Sequence, residues 1–359
     1  MMDVSFDKLA KYLCCPNCRL DLTYTGVGNS GFDDGVLLCG NCSSIFPVTD
    51  AIPILLKDSI RNPREEIPVF EGIAKQIVDI ELKNKIDKEI EKLSARRFSS
   101  SWEWDDVDYW DKIYEEQLAK LLSGDKTFDD RRCQARVMQR RQEMLIMDRD
   151  KFFPDGLLVE VGAGTAVYIN NILEKHKAKP YIAVDMSMPA LKIRRKLLSR
   201  GNSLFIMGSV DNLPLKYECV AGLFIIGILH HSERKESTLL SLKRYLVDGG
   251  IIYLDEAISR PSFLRHEEII KGVDVSIHEE QIDYAKLMEI ITKEGKLEYH
   301  VIFNTPIYTF MSTYLRQLML MNYPVYRVVR AVDRLFMTTL GKKLPAFRAG
   351  EVTVLWRKR

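Results

Sequence analysis

Five apolar runs punctuate the middle of the chain: Leu157–Val161, Tyr181–Val184, Leu204–Ile206, Val220–Ile226 and Ile251–Leu254. They are nearly continuous rather than alternating, as strands buried on both faces are. Helical stretches separate several of them. The pattern predicts an α/β fold, a parallel sheet doubly wound with helices on both faces. Downstream it predicts a helix near Glu279–Lys293, a strand near Leu297–Phe303 and a last strand at Glu351–Trp356.

The first 150 residues read differently. Residues 1–60 break at Pro47 and Pro53 and carry a Gly/Asp/Asn-rich stretch from Gly26 to Gly35, so short strands and turns are expected around a metal instead of a hydrophobic core. Residues 61–150 read as a helical linker or cap. Ile73–Leu93 keeps mostly helical spacing, and Arg131–Asp150 reads as a charged helix. Trp102, Trp104, Tyr109 and Trp110 fall within nine residues, a candidate part of a binding wall, or simply an anchor for the linker. The third expected unit is 151–359.

Composition narrows the class. The 359 residues are 46% hydrophobic and 28% charged, which excludes collagen-like, mucin-like and wholly disordered chains. A net charge of +2 provides no global field for nucleic acid. No positive-apolar-small pattern opens the chain, and the longest apolar run, Val220–Leu229, falls short of the ~20 residues of a membrane span. A cytoplasmic protein without a transmembrane segment is expected.

Five of the seven cysteines lie in the first 42 residues. Cys15-Pro-Asn-Cys18 and Cys39-Gly-Asn-Cys42 are two CxxC knuckles with 20 residues between them. Two thiolate pairs complete a tetrahedron with no open position, so the expected centre is a structural zinc that holds a fold too small to hold itself. Cys14 is an alternative in register. Cys133 and Cys219 have no partner motif and read as buried thiols.

Glu160-Val-Gly162-Ala163-Gly164-Thr-Ala166 ends a predicted strand and opens a helix. Its glycines allow a tight turn and close backbone approach to a ligand. Asp185 ends the next strand, 23 residues after Gly162, where an acid takes two ribose hydroxyls. A nicotinamide dinucleotide would suit these features. The acid Glu160 inside the strand, Gly208-Ser-Val-Asp-Asn-Leu-Pro214, Val220–Leu229 ending in His230-His231, and Leu246-Val-Asp-Gly-Gly250 give another order. In that order, over residues 150–260, the chain resembles class I S-adenosylmethionine-dependent methyltransferases, and within them the small-molecule, ubiquinone-pathway-like group. The resemblance implies a Rossmann-like methyltransferase sheet carrying a zinc ribbon and a helical insert. It implies that Glu160, Gly162, Ala163 and Gly164 line the methionine end of the cofactor and that Asp185 holds the ribose. Met186 packs on the adenine, Ser209 and Val210 meet the adenine edge, and Ile226 and Gly227 border the methyl donor. Ser209 stands where the family usually has an aspartate.

Leu13-Cys-Cys-Pro-Asn-Cys18, Cys39-Gly-Asn-Cys42, Phe46-Pro-Val and Ile52-Pro-Ile-Leu-Leu56 together resemble the small zinc-ribbon protein that activates RNA and protein methyltransferases, here fused in cis. A ribbon followed by a methyltransferase also occurs in ribosomal RNA guanine methyltransferases and in enzymes of glycan and secondary metabolism.

Methyl transfer needs a base only if the acceptor sheds a proton. His231 and His230, after the fourth strand, are the candidates, or else they cap that strand. Glu256 is an alternative polar group, with His266 and His278 behind it. The acceptor expected is a small molecule, a saccharide or a lipid-linked molecule. RNA is the runner-up, and a non-catalytic adaptor that binds S-adenosylmethionine weakly is a third reading. Residues 301–359 hold 10 Lys/Arg against 2 Asp/Glu, whereas residues 1–60 hold 4 against 7, a poor surface for RNA. In the tail, Arg327, Arg330 and Arg334 share one helical face and Val325, Val328, Val329, Val332, Leu335 and Phe336 another. A packed surface helix is expected there, with an RNA-facing or membrane-lying stretch as alternatives. Lys192, Arg194, Arg195, Lys196 and Arg200 are read as mostly decorating the outer face of a helix.

Overall fold

Each cysteine knuckle is followed by a residue in the left-handed region, Arg19 at φ 70° and Ser43 at φ 57°, which turns the chain back into a strand. The computed structural model describes residues 6–27, 33–96, 102–125, 153–165, 173, 175–176, 178–198, 201–232, 234–258, 282–303, 328, 331–332, 335 and 350–359. These fall into two compact units, one of residues 1–118, 155–165 and 177–220, the other of 119–154, 166–176 and 221–359.

The first unit begins with α1 (Phe6–Ala10) and an antiparallel sheet in the order β1 (Leu22–Gly26), β2 (Gly35–Cys39), β3 (Ile45–Thr49), β4 (Ile52–Pro53). This ribbon does have a core. Val36 and Ile45 pack with Phe70 and Ile73 of α2 (Pro63–Ala74) and with Leu82, Ile86 and Leu93 of α3 (Ile80–Ser94). The expectation of a coreless ribbon is thus corrected: the two following helices cover its apolar face. The single helical stretch read across Ile73–Leu93 is two helices. Asp79 breaks it by capping α3, its carboxylate accepting the N–H groups of Glu81 (2.8 Å) and Leu82 (3.2 Å). Asn62 and Pro63 open α2 in the same way.

Arg61 ties these helices together. Its guanidinium grips Glu66 with Nε at 3.1 and 2.8 Å and Nη2 at 2.5 Å, reaches Glu89 with Nη1, and lies 5.5 Å from the Phe46 ring centre. Next comes α4 (Trp102–Ser123), anchored by Trp104 Nε1 donating to Ile60 O at 2.9 Å.

Three parallel strands complete the unit: β5 (Leu157–Val161), β6 (Tyr181–Asp185) and β7 (Ser203–Met207), with α5 (Met188–Leu197) between the last two. The ribbon is docked on β7. Ile54 bridges Met207 in parallel, and Leu55 N–H donates to Met207 O at 2.8 Å. The chain after β7 is held as well: Cys14 N–H donates to Pro214 O (3.0 Å), Lys216 N–H to Tyr12 O (2.8 Å), and Arg19 Nη1 to Leu213 O (2.7 Å). An edge that would be exposed is thereby covered by the chain's own ribbon.

The second unit orders its strands β10 (Gly295–Phe303), β11 (Gly350–Lys358), β9 (Leu246–Ile258), β8 (Val220–Ile226). β9 is longer than the apolar run Ile251–Leu254 because β11 pairs antiparallel along it from Ile251 to Ile258. Helices α6 (Lys235–Lys243) and α7 (Tyr284–Glu294) belong here, with Asp283 capping α7. Phe224 stacks on Phe153 at 5.3 Å and meets Tyr253 at 5.9 Å. In the basic tail Val328, Val332 and Leu335 are 64%, 49% and 65% exposed, against the expectation of a packed apolar face. Arg327, Arg330 and Arg334 lie outside the described residues, as do Arg131–Asp150, Cys133, His266 and His278. Among the described residues no helix is long and apolar enough to cross a membrane.

Candidate functional site

The four sulfur atoms of Cys15, Cys18, Cys39 and Cys42 all lie within 4.8 Å of one another. Cys15 and Cys42 stand 3.5 Å apart, Cys18 and Cys39 3.3 Å. A tetrahedral zinc with bonds near 2.3 Å sets its sulfurs about 3.8 Å apart, so the donor set fits that ion and closes its shell. Cys14 is outside the cluster; it is buried, which pushes its thiol up to about 11. Cys219, half-buried, donates to Lys216 O at 3.0 Å, and burial pushes its thiol up to about 12.

At the end of β5 the chain turns through Gly162 (φ 62°) and Gly164 (φ 48°), a left-handed pair open to glycine. Ala163 N–H donates to Val184 O at 3.2 Å, which clamps the loop to β6. Asp185 ends β6. Its Oδ2 accepts Gly164 N–H at 2.7 Å and its Oδ1 accepts Ser187 N–H at 2.8 Å. Burial holds this carboxyl above its ordinary range, against the pull of those N–H groups. Met186 beside it is half-buried.

Glu160 is 2% exposed, and Arg194 Nη2 sits 2.6 Å from its Oε2, which also accepts from Tyr181 Oη. Burial pushes Glu160 up and Arg194 opposes it. Arg194 is therefore no surface decoration: it is 1% exposed and spans 34 residues to neutralise the acid beneath the glycine loop. Ser209 is buried and caps the short turn Val210–Asn212, its Oγ accepting Asp211 N–H at 3.2 Å. A hydroxyl that accepts in this way can also donate. Val210 is half-buried.

In the second unit β8 ends at Ile226, half-buried, and Gly227 (φ 61°) donates its N–H to Asp255 O at 2.8 Å. Glu256, on β9, is 1% exposed. Its Oε1 accepts the N–H groups of Ile228 (2.9 Å) and Leu229 (2.7 Å), and its Oε2 lies 2.9 Å from His230 Nδ1. His231 packs ring to ring with His230 at 4.2 Å. The carboxylate is an acceptor only, so it sets the proton of His230 on Nδ1 and leaves Nε2 as the basic nitrogen.

On α4, Trp110 stacks on Tyr114 at 5.7 Å and meets Tyr109 edge-on at 5.4 Å. The sequence reading missed Ser187 and Asp111, which hydrogen-bond to each other beside Asp185, and misread Arg194. Ser187 ahead of Met188-Pro189 is an N-cap signal, and could have been found. The partners of Arg194 and Asp111 are too distant in sequence to leave one.

Residues 159–254 match a family model described as a methyltransferase domain. A UPF0434 protein of Nitrosococcus oceani is 36% identical over 62 residues, 17% of this chain and 95% of that protein. Among solved structures, the chain is similar to phosphoethanolamine N-methyltransferase 2 of Haemonchus contortus, bound to S-adenosyl-L-methionine. Identity there is 12%, coverage 61% of this chain and 52% of that one, and the TM-score 0.43. The chain thus spans about half the length of that protein. Geranyl diphosphate C-methyltransferase of Streptomyces coelicolor A3(2) is 10% identical, with coverage of 61% and 76% and a TM-score of 0.42.

Proposed function

The chain belongs to the UPF0434 family through its ribbon and carries an S-adenosylmethionine-dependent methyltransferase domain, and from that premise we propose that it methylates a small-molecule, saccharide or lipid-linked acceptor. The proposal takes residues 1–60 as the zinc ribbon, 61–150 as the helical cap and 151–359 as the catalytic domain, working in the cytoplasm. The zinc is structural: its four thiolates leave no position for a substrate.

The observation that carries the reading is Asp185, pinned between the N–H groups of Gly164 and Ser187. Each of its oxygens keeps a lone pair for a ribose hydroxyl. The backbone of Gly162, Ala163 and Gly164 would hold the methionine end, with Glu160 bracing the loop from beneath through Arg194. Met186, Ser209 and Val210 would hold the adenine, and Ile226 would border the methyl group. When bound, S-adenosylmethionine supplies an already activated methyl group, so the protein's work is alignment and exclusion of water. His230, oriented by Glu256, would take the proton of an acceptor hydroxyl or amine; His231 is the neighbouring candidate.

Titration calorimetry of the zinc-loaded protein with S-adenosylmethionine and S-adenosylhomocysteine tests this, with Asp185→Ala as control. Micromolar binding lost in the control supports the donor site and opens an acceptor screen. Absence of binding favours the adaptor reading instead. A second acceptor class, a ribosomal or transfer RNA base, draws on the +8 charge of residues 301–359 and enters the same screen.

A further inference from the structure

Helix α4 touches the turn that follows β6. Asp111 Oδ1 accepts a hydrogen bond from Ser187 Oγ. Ser187 is also the N-cap of α5, its Oγ accepting Ala190 N–H at 3.2 Å, and its own N–H donates to Asp185 Oδ1 at 2.8 Å. Gly164 N–H then closes on Asp185 Oδ2 at 2.7 Å. Three consecutive bonds therefore join α4, the β6–α5 turn and the glycine loop.

We propose that Asp111 is a positioning residue of the donor site: from α4 it fixes, through Ser187, the carboxylate of Asp185 that takes the ribose hydroxyls. The inference rests on the reading of Asp185 given above. A carboxylate is a costly choice for a mere brace here. Asp111 is half-buried and faces Glu65 of α2, Asp185 of β6 and Glu115 of its own helix, while Asp108 of α4 faces Glu65. Burial first, and then these acids, hold it at about 7 against the pull of the Ser187 bond. S-adenosylmethionine brings a sulfonium and an ammonium against one carboxylate. A net cation entering an acidic surrounding favours ionised Asp111, so binding releases a proton and affinity rises with pH through that value. S-adenosylhomocysteine lacks the sulfonium charge and couples less. Asp111 thus makes the site's preference for donor over spent product depend on pH.

The test is calorimetry of the full, zinc-loaded chain with both molecules, from about pH 5.5 to about 8.5, on either side of Asp111's value of about 7. Wild type is expected to bind S-adenosylmethionine several-fold more tightly at the alkaline end, with a shallower rise for S-adenosylhomocysteine. Asp111→Asn keeps an oxygen for Ser187, so it binds within about threefold of wild type at the acid end and shows no rise. Asp111→Ala also shows no rise, so its deficit against wild type widens with pH and reaches about tenfold at the alkaline end, the weight of one hydrogen bond to a charged group, with zinc content unchanged. If both variants follow the wild-type profile while Asp185→Ala abolishes binding, Asp111 has no positioning role and the donor site stands. If Asp185→Ala binds like wild type, or wild type does not bind, the donor-site reading fails and this inference falls with it.

Discussion

Glu256 and His230 form a fixed pair, Oε2 to Nδ1 at 2.9 Å, and the other oxygen of Glu256 holds the backbone on which His230 sits. The dyad gives a sharp expectation for an acceptor that sheds a proton. His230→Ala lowers kcat by about 10²–10⁴-fold, with S-adenosylmethionine affinity unchanged by calorimetry. Glu256→Gln still accepts Ile228 and Leu229 N–H, but its amide offers a hydrogen to Nδ1. That moves the ring proton to Nε2 and removes the base, so its rate falls with that of His230→Ala while the fold survives. Equal rates in wild type and both variants across the pH range would remove the dyad from catalysis.

The ribbon and β7 are expected to melt together when the metal leaves. Chelation, or Cys18→Ser, takes away the centre that orders the first knuckle, and with it Cys14 and the Arg19 contacts to Leu213 and Leu215. The measurement is amide hydrogen exchange at Leu55, whose N–H donates to Met207 O. Protection at Leu55 falls by about tenfold or more in the metal-free protein, an opening cost lowered by at least ~1.4 kcal/mol. Full protection at Leu55 after zinc removal counts against a metal-held docking.

Much of this was legible in the chain, for identifiable reasons. Leu157–Val161 and Val220–Ile226 are strands with the bounds the apolar runs predict, because strands buried on both faces leave no other pattern. The two CxxC knuckles converge as expected, since their chemistry is written locally. What stayed hidden depends on partners far off in sequence. Arg194 reads as one more charge on a basic helix until Glu160 is found beneath it. The helix break at Asp79 was obscured by isoleucines that keep helical spacing across it, and the ribbon's core by its coverage from α2 and α3.

Arg61 is the residue whose loss should hurt the first unit most. Its side chain is 0% exposed and satisfies two buried carboxylates, Glu66 and Glu89. Arg61→Ala leaves both acids buried without their cation and costs about 3–5 kcal/mol in urea unfolding. Removing Arg61 and one of its acids together, Arg61→Met with Glu66→Gln, costs less than Arg61→Ala alone, because one buried carboxylate, Glu89, loses its guanidinium partner instead of two. A double variant less stable than Arg61→Ala contradicts this account.

Asp111 also sets a pH dependence of stability that calorimetric melting can isolate. In the unfolded chain it ionises near 3.8; in the folded one burial and its acidic neighbours hold it at about 7. The folded state therefore binds the proton more tightly than the unfolded one. Its favourable contribution is complete below the unfolded value and is lost as pH rises through about 7. Asparagine carries no such proton. The Asp111→Asn variant is expected to melt near wild type at about pH 4 and then above it by several degrees, the gap opening up to about pH 7 and levelling off beyond. A gap that is constant with pH, or one that widens on acidification, would mean that Asp111 is already ionised at low pH in the folded chain.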